Sequence, residues 1–189
     1  MKLHLGNGTV YLEGWTNVDI VGKLAKDHPD IVKHNSTTVA NYYKRPFRQN
    51  KDNNVTDIIM DIRNLEFPEN SADEILSVNV IDHMKKEEFL GALQNWKKVL
   101  KPGGNLIIDV DDRKKQAQLL ASAETIEEME WAFRLLYCDH AKPGRTHWWG
   151  YTPEYLLHIL NHAGFTHVWT RNDYIAHDIT TNFQICVRK

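Results

Sequence analysis

Strand-like segments alternate with helical segments along most of the chain, and this order restricts the fold more than any other feature. The strand candidates are short apolar or β-branched runs bounded by turn residues: 3–5, 16–20, 57–62, 74–80, 105–110, 167–171 and 183–188. Parallel strands need a crossover connection, which is usually a helix. Strands that alternate with helices therefore predict an α/β fold with a doubly wound, mostly parallel sheet.

Helix signals lie between these strands. The spacing of apolar residues predicts a helix over 85–100 and two helices within 113–137, and a last helix starts at Thr152, with a proline next, and ends before Gly164. The connection over 172–182 is polar and too short for a crossover helix. We therefore expect the last two strands to be antiparallel neighbours.

Length, charge and cysteine content limit the class of protein. A chain of 189 residues fits one domain, taken here as residues 1–189. With 23 basic and 25 acidic residues, it lacks the strong positive charge of a protein that coats nucleic acid. No apolar stretch approaches the ~18 residues of a membrane span. Two cysteines, Cys138 and Cys186, and no signal-peptide pattern favour a cytoplasmic protein, and the sequence leaves its oligomeric state open.

The first strand runs into Gly6-Asn7-Gly8, and the second strand carries Asp19 near its end. A strand followed by G-x-G opens many nucleotide-binding α/β folds, and an acid after the next strand holds ribose hydroxyls. In the dinucleotide fingerprint that acid lies about 20 residues after the glycines, but Asp19 follows Gly8 by 11 positions. The third glycine is also missing, because Gly14 comes too late. The spacing and the antiparallel strand pair therefore argue against a nicotinamide-dependent enzyme.

An ordered set of segments resembles the class I S-adenosylmethionine-dependent methyltransferases. The segments are LHLGNG, LEGWTNVDI, DIRNLEFPENSADEI, NVIDHM, WKKVLKPGG, LIIDVDD and HWWGYTPEYLLHILNHAGF. They cover most of the chain except about 21–54 and 113–135, and they look most like a small bacterial branch with a "PGW-NVD" segment. That branch shortens the helix after the first strand. The resemblance thus accounts for the short spacing, and it implies a seven-stranded-type sheet with an antiparallel terminal strand pair.

The resemblance implies S-adenosylmethionine as the cofactor. This cofactor has no phosphates, so it needs no pyrophosphate site at a helix N-terminus. It needs glycines that let its methionine part lie close to the backbone. By position, Gly6, Asn7 and Gly8 would line the methionine part, and Asn79 would lie near the sulfonium.

The same resemblance assigns the adenosine part to the ends of the next two strands. Asp19 would accept hydrogen bonds from the ribose hydroxyls, and Ile20 would lie against the adenine ring. Asp61 would accept from the adenine amino group, and Ile62 would flank the ring.

The expected reaction is direct methyl displacement onto a small polar acceptor, with a sugar or sugar nucleotide suggested by family analogy alone. A hydroxyl acceptor would benefit from a base. The candidates follow the fourth and fifth strands or lie in the loop over 138–151: Asp82, His83, Asp111 and His147. His83 could instead be a neutral histidine satisfied by a backbone hydrogen bond, and His147 with Trp148 and Trp149 could simply plug the end of the sheet. Trp148 and Trp149 offer apolar faces for an acceptor pocket.

Several alternatives remain at this stage. The chain has Leu136 to His140, LYCDH, where relatives often have LYGGQ, so a non-catalytic methyltransferase-like binding module is the second hypothesis. His158 and His162 lie four positions apart on a predicted helix, but without the glutamate of an H-E-x-x-H site they are expected to be solvated. We expect no metal site. Residues 21–54 are expected to form a mobile wall, because 35–54 have many polar side chains and few periodic apolar ones.

Overall fold

The computed structural model describes residues 1–42, 53–138, 140, 145–171 and 181–189. The strands are β1 (Lys2–Leu5), β2 (Tyr11–Leu12), β3 (Thr16–Asp19), β4 (Lys23–Leu24), β5 (Ser36–Thr37), β6 (Val55–Thr56), β7 (Ile58–Ile59), β8 (Ala72–Val78), β9 (Leu100–Asp111), β10 (Thr166–Arg171) and β11 (Asn182–Arg188). The helices are α1 (Pro29–Asn35), α2 (Lys86–Val99), α3 (Arg113–Ala121), α4 (Ile126–Tyr137) and α5 (Pro153–His162).

The main sheet has seven strands in the order β10-β11-β9-β8-β1-β3-β7. Strand β1 lies near the middle and pairs in parallel with both β3 and β8, and β8 pairs in parallel with β9. Strand β11 lies between β9 and β10 and is antiparallel to both. The predicted mostly parallel sheet with an antiparallel terminal strand pair is therefore confirmed.

The main core forms where α2 and α5 cover the sheet. Helix α2 carries apolar residues at helical spacing, and Phe89, Leu93 and Trp96 are fully buried. The indole Nε1 of Trp96 donates to the carbonyl of Ile62 at 2.7 Å, so the large ring is both packed and satisfied. This packing gives the strand ends a rigid support.

The segment between β1 and β3 contains no helix. Residues 6–15 form turns and the short strand β2, whereas the family resemblance implies a shortened helix. Two glycines explain the difference: Gly6 has φ +68° and Gly8 has φ +53°, and this left-handed conformation does not continue a helix. The amide of Gly6 instead donates to the carbonyl of Val18 at 2.8 Å, which draws the loop against β3.

The polar segment that follows β3 is partly ordered. It contains α1 and contributes strands to two small parallel ladders, β2 with β5 and β4 with β6. Residues 43–52, which are part of the expected mobile wall, lie outside the described residues. In the described part of the chain, none of the helices combines the length and apolar character that crossing a membrane requires.

Candidate active site

A cavity of about 320 Å³ opens at the carboxyl ends of β1, β8 and β9. Its walls come from the loop after β1, the ends of β8 and β9, helix α4 and the segment after it: Gly6, Asn7, Gly8, Thr9, Val10, Tyr42, Val78, Asn79, Asp82, His83, Asp111, Trp131, Arg134, Leu135, Cys138, Arg145 and His147. Open α/β sheets bind ligands at this edge. The cavity thus unites the predicted glycine loop with all four predicted acid–base candidates.

The glycine loop leaves its backbone accessible from the cavity. A Cβ atom at Gly6 would lie 2.4 Å from a methyl group of Val80, so this position cannot carry a side chain without a shift. No atom lies within 4 Å of the Cβ position at Gly8. A ligand can therefore approach the backbone at Gly8 without displacing protein atoms.

Asp19 is tied to the glycine loop. One carboxylate oxygen accepts from the amide of Gly8 at 2.9 Å, and the other accepts from the amide of Val21 at 3.0 Å. Each oxygen keeps a second acceptor site, so the carboxylate is oriented but not saturated. The adjacent Ile20 is 54% exposed and presents an apolar face beside it.

Asn7 and Asn79 both line the cavity but are partly committed to the protein. The amide nitrogen of Asn7 donates to the carbonyl of Val55 at 2.8 Å, which holds the loop. The backbone of Asn79 is left-handed, with φ +49°, and its side-chain oxygen accepts from Asn182 at 2.7 Å. For Asn7 the contacts point to a role in shaping the loop, in place of the predicted direct contact with the methionine part.

Asp61 and Ile62 do not line this cavity, and Asp19 and Ile20 also lie outside its lining. The carboxylate of Asp61 caps a short 3-10 turn and pairs with the guanidinium of Arg63 at 2.7 Å. That side-chain contact, with the nearby positive charge, lowers the pKa of Asp61. An adenine amino group would have to compete with Arg63. The prediction that Ile62 flanks the ring conflicts with the structure, because Ile62 is buried and packs in the main core.

Asp82, His83 and His147 meet on one wall of the cavity. The Oδ2 atom of Asp82 lies 3.3 Å from Nε2 of His147, and the two histidine rings are 4.8 Å apart between centroids. Nδ1 of His83 contacts the carbonyl of Thr146 at 3.1 Å, and Nδ1 of His147 contacts the carbonyl of Leu135 at 3.0 Å. A carbonyl only accepts, so each Nδ1 carries the hydrogen and each Nε2 keeps its lone pair.

The segment over 145–151 is held in place by backbone contacts. The amide of Trp148 donates to the carbonyl of Asp82 at 2.8 Å, and Tyr151 forms a parallel bridge with Asp112. These contacts place His147 opposite Asp82. The rings of Trp148 and Trp149 are exposed and lie outside the cavity lining, so the prediction that they face the acceptor does not match the structure.

Arg113 organises the wall and is not evident from the sequence. Its guanidinium contacts Asp82 at 3.4 Å, Asp111 at 3.2 Å and the carbonyl of Leu135 at 2.9 Å. Gln116 also donates to Asp111, at 2.7 Å. The sequence shows only that an arginine begins a helix directly after the Asp111-Asp112 pair. It does not show that this arginine contacts Asp82 in the turn after β8.

The surroundings shift the pKa values of this wall in different directions. Burial raises the pKa of Asp111 to about 7, and the negative charge of Asp82 adds to the rise. For Asp82, burial raises the pKa, but His83, His147 and Arg113 outweigh it, so its pKa lies below the ordinary value. Burial lowers the pKa of His147. The pKa values of the two carboxyl groups are thus shifted in opposite directions, Asp82 towards the ionised form and Asp111 towards the protonated form.

Comparison with known proteins supports a methyltransferase fold around this site. A family model for a methyltransferase domain matches residues 22–108, somewhat less than half of the chain. A SAM-dependent methyltransferase from Aquifex aeolicus aligns with 99% of this chain and 80% of its own, at 15% identity and a TM-score of 0.53. The chain therefore shares the fold of S-adenosylmethionine-dependent methyltransferases.

Two further structures share this fold. The 1,6-didemethyltoxoflavin-N1-methyltransferase of Burkholderia thailandensis, solved with 1,6-didemethyltoxoflavin and S-adenosylhomocysteine, aligns at 15% identity over 100% of this chain and 70% of its own, with a TM-score of 0.59. A possible histamine N-methyltransferase of Thermotoga maritima aligns at 17% identity over 100% of this chain and 81% of its own, with a TM-score of 0.56. No curated protein matches the sequence significantly.

S-adenosylmethionine is the cofactor expected from the sequence, and one structure that shares this fold was solved with S-adenosylhomocysteine. The loop fits such a ligand on two observations. The backbone at Gly8 is open to the cavity, where a methionine part needs close approach. The buried carboxylate of Asp19 keeps acceptor capacity that two ribose hydroxyls can use.

Proposed function

We propose that this protein transfers a methyl group to a small polar acceptor, with a sugar or sugar nucleotide as the leading class. The observation that carries the proposal is the shared cavity, in which the glycine loop and four ionisable side chains line one space. S-adenosylmethionine, when bound, supplies an electrophilic methyl group on a good leaving group. The protein then has to align the acceptor and exclude water, which lowers the barrier by several kcal/mol, up to about 11.

The donor side of the proposal rests on the loop after β1. Gly6 and Gly8 give backbone access for the methionine part, and Asp19 accepts from the ribose hydroxyls. Ile20 offers its exposed apolar face to the adenine. Asn79 lies at the end of β8, between the loop and the acceptor wall, where the methyl group would be presented.

The acceptor side rests on the wall formed by Asp82, His83, Asp111 and His147, which we call the acceptor wall. These groups would orient an acceptor hydroxyl and receive its proton as the new bond to carbon forms. Asp111 suits proton removal because a base works best when its pKa lies near the working pH, and the pKa of Asp111 is raised to about 7. At the mouth, Trp131 and Arg134 offer an apolar ring and a positive charge, a combination suited to a sugar carrying phosphate.

Calorimetric titration with S-adenosylhomocysteine tests the donor side. Asp19→Asn should weaken binding at least tenfold, because a carboxylate makes hydrogen bonds to hydroxyls worth roughly 1.5–3 kcal/mol each. Asp61→Asn is the matched control, since Asp61 is engaged by Arg63, and it should change binding less. Equal or reversed effects would show that the two acids have been assigned wrongly.

Turnover tests the acceptor side. His147→Ala should leave binding of S-adenosylhomocysteine within about threefold and lower turnover about tenfold or more, on the scale of a positioned acid–base group. Loss of donor binding in this variant would move His147 out of the acceptor wall. Saturable donor binding with no turnover on a panel of sugars, sugar nucleotides and other small alcohols would favour the alternative, a non-catalytic binding module. No binding at high ligand concentration would contradict both.

A further inference from the structure

We propose that Asp82, His83 and His147 bind a divalent metal ion of the zinc type on the acceptor wall. One ligand atom from each residue lies within 4.8 Å of the other two. Two imidazoles and a carboxylate form a common ligand set for such ions. The inference rests on the proposed function, because it assigns three of the four wall residues to a metal and leaves Asp111 to accept the proton.

The histidines are prepared for metal binding by their backbone contacts. Each Nδ1 donates to a carbonyl, His83 to Thr146 and His147 to Leu135, so each Nε2 presents its lone pair. Metal-bound histidines in proteins usually donate their other ring nitrogen in this way, which fixes the ring orientation. Both rings come from segments that are anchored by backbone hydrogen bonds, so their positions do not depend on a ligand.

The spacing of His147 and Asp82 suits two ligands of one ion. Nε2 of His147 and Oδ2 of Asp82 lie 3.3 Å apart. If each of these two atoms lies about 2.1 Å from one ion, their separation of 3.3 Å gives an angle of roughly 105° at the ion. That angle is close to tetrahedral, so little movement of these two groups is needed.

A second observation points to the same place. The Oδ1 atom of Asp82 is buried and has no hydrogen-bond partner within the described ranges of the chain. Asp82 itself is only 1% exposed, so solvent does not satisfy this oxygen. Buried polar atoms without partners are rare, and a bound ion or water is a common reason for them. A metal ion beside Asp82 would give this carboxylate a partner.

The charge around the cluster also favours a cation. Arg113 shares its positive charge between Asp82 at 3.4 Å and Asp111 at 3.2 Å. Two carboxylates thus share one guanidinium, so a cation bound beside Asp82 would meet acidic groups that Arg113 alone has to balance.

Three protein ligands leave a coordination position open for the acceptor. A metal ion lowers the pKa of a bound hydroxyl group and fixes its orientation. In the methyl transfer, the acceptor oxygen forms a bond to the methyl carbon, and the carbon–sulfur bond breaks with its electron pair going to sulfur. The hydroxyl proton passes to Asp111. The metal changes no oxidation state, so no further reactant is needed.

Metal binding can be measured without turnover. The chelator-treated protein is titrated with Co²⁺, whose visible absorption reports its ligands, and with Zn²⁺ followed by mass-spectrometric metal analysis. We expect one equivalent of each ion and a tetrahedral-type cobalt spectrum. His83→Gln and His147→Ala should each weaken binding at least tenfold while circular dichroism shows an intact fold. If His147→Ala does not fold, His83→Gln decides alone.

The matched control is the double variant His158→Gln, His162→Gln. These histidines lie on α5 with ring centroids 4.0 Å apart, and they are exposed, so they represent adventitious binding to a surface pair. This variant should keep the full metal stoichiometry. No binding in the unmodified protein, or binding lost only in the α5 variant, would overturn the proposal. Titration of the metal-free protein with S-adenosylhomocysteine separates the two proposals, since donor binding should persist even if the metal proposal fails.

Discussion

A buried histidine under the cavity should make the stability of this protein depend on pH. His4 lies in β1 and is fully buried. Its Nδ1 donates to the side-chain oxygen of Asn17 at 2.9 Å, which also accepts from the amide of Leu12. Its Nε2 therefore accepts from the hydroxyl of Tyr42 at 2.5 Å. Burial lowers the pKa of His4 to about 4, with the Asn17 contact opposing part of the shift.

The sign and size of the effect follow from this pKa. An unfolded histidine has a pKa near 6.5, so between about pH 6.5 and pH 4 the unfolded state binds more protons than the folded state. Stability is therefore full above pH 6.5 and is lost as the pH falls towards 4. The whole shift corresponds to about 3 kcal/mol, and about 2 kcal/mol of it is lost at pH 5.

Urea unfolding, followed by tryptophan fluorescence at pH 7.5 and pH 5, measures this loss. The His4→Gln variant lacks the titrating group, so its stability should fall by about 2 kcal/mol less than that of the unmodified protein between the two pH values. His167→Gln, at an exposed position on β10, is the matched control and should behave like the unmodified protein. Equal losses in the unmodified protein and in His4→Gln would refute the reasoning.

Three further changes test the packing around the site. Gly6 and Gly8 both have a left-handed conformation, but only a Cβ atom added at Gly6 would lie 2.4 Å from Val80. Gly6→Ala should therefore destabilise the protein by about 1–3 kcal/mol more than Gly8→Ala in urea unfolding. Equal costs would contradict this. Trp96→Phe should lower the free energy of unfolding by about 3 kcal/mol in the same assay, because it removes packing and the buried hydrogen bond to the carbonyl of Ile62. A loss below ~1 kcal/mol would count against that bond. Thr125→Ala should speed amide exchange at the start of α4, since it removes a cap worth about 1 kcal/mol, and unchanged exchange would exclude the cap.

Features set by neighbouring residues were predictable from the sequence. The last helix is an example: Thr152 accepts from the amide of Tyr155 at 3.3 Å, and Pro153 occupies the first helical position. The glycine loop belongs to this class as well, because Gly6 and Gly8 directly follow an apolar strand. Such signals depend on a few adjacent residues, so they survive in a single sequence.

Features set by contacts between distant segments, and the directions of side chains at strand ends, were not predictable. The sequence contains no sign that Arg113 reaches Asp82. The pairing of Asp61 with Arg63 is local, but it depends on the 3-10 turn that the chain forms there. Ile62 follows Asp61 directly, but its side chain packs into the core, because the chain leaves the sheet there in a 3-10 turn. Side-chain direction at strand ends depends on the turn that follows, which periodicity does not reveal.

The position of β11 has a consequence for how the protein is made. This strand follows every other strand in the chain, yet it lies between β9 and β10. A ribosome therefore finishes both of those strands before it reaches the strand that pairs with them. Until β11 emerges, Asp109 lacks the amide donors of Asn182 and Gln184, at 3.1 and 3.2 Å. Two unpaired strand edges are exposed during that interval, and this is when the nascent chain is most prone to aggregate and most in need of a chaperone.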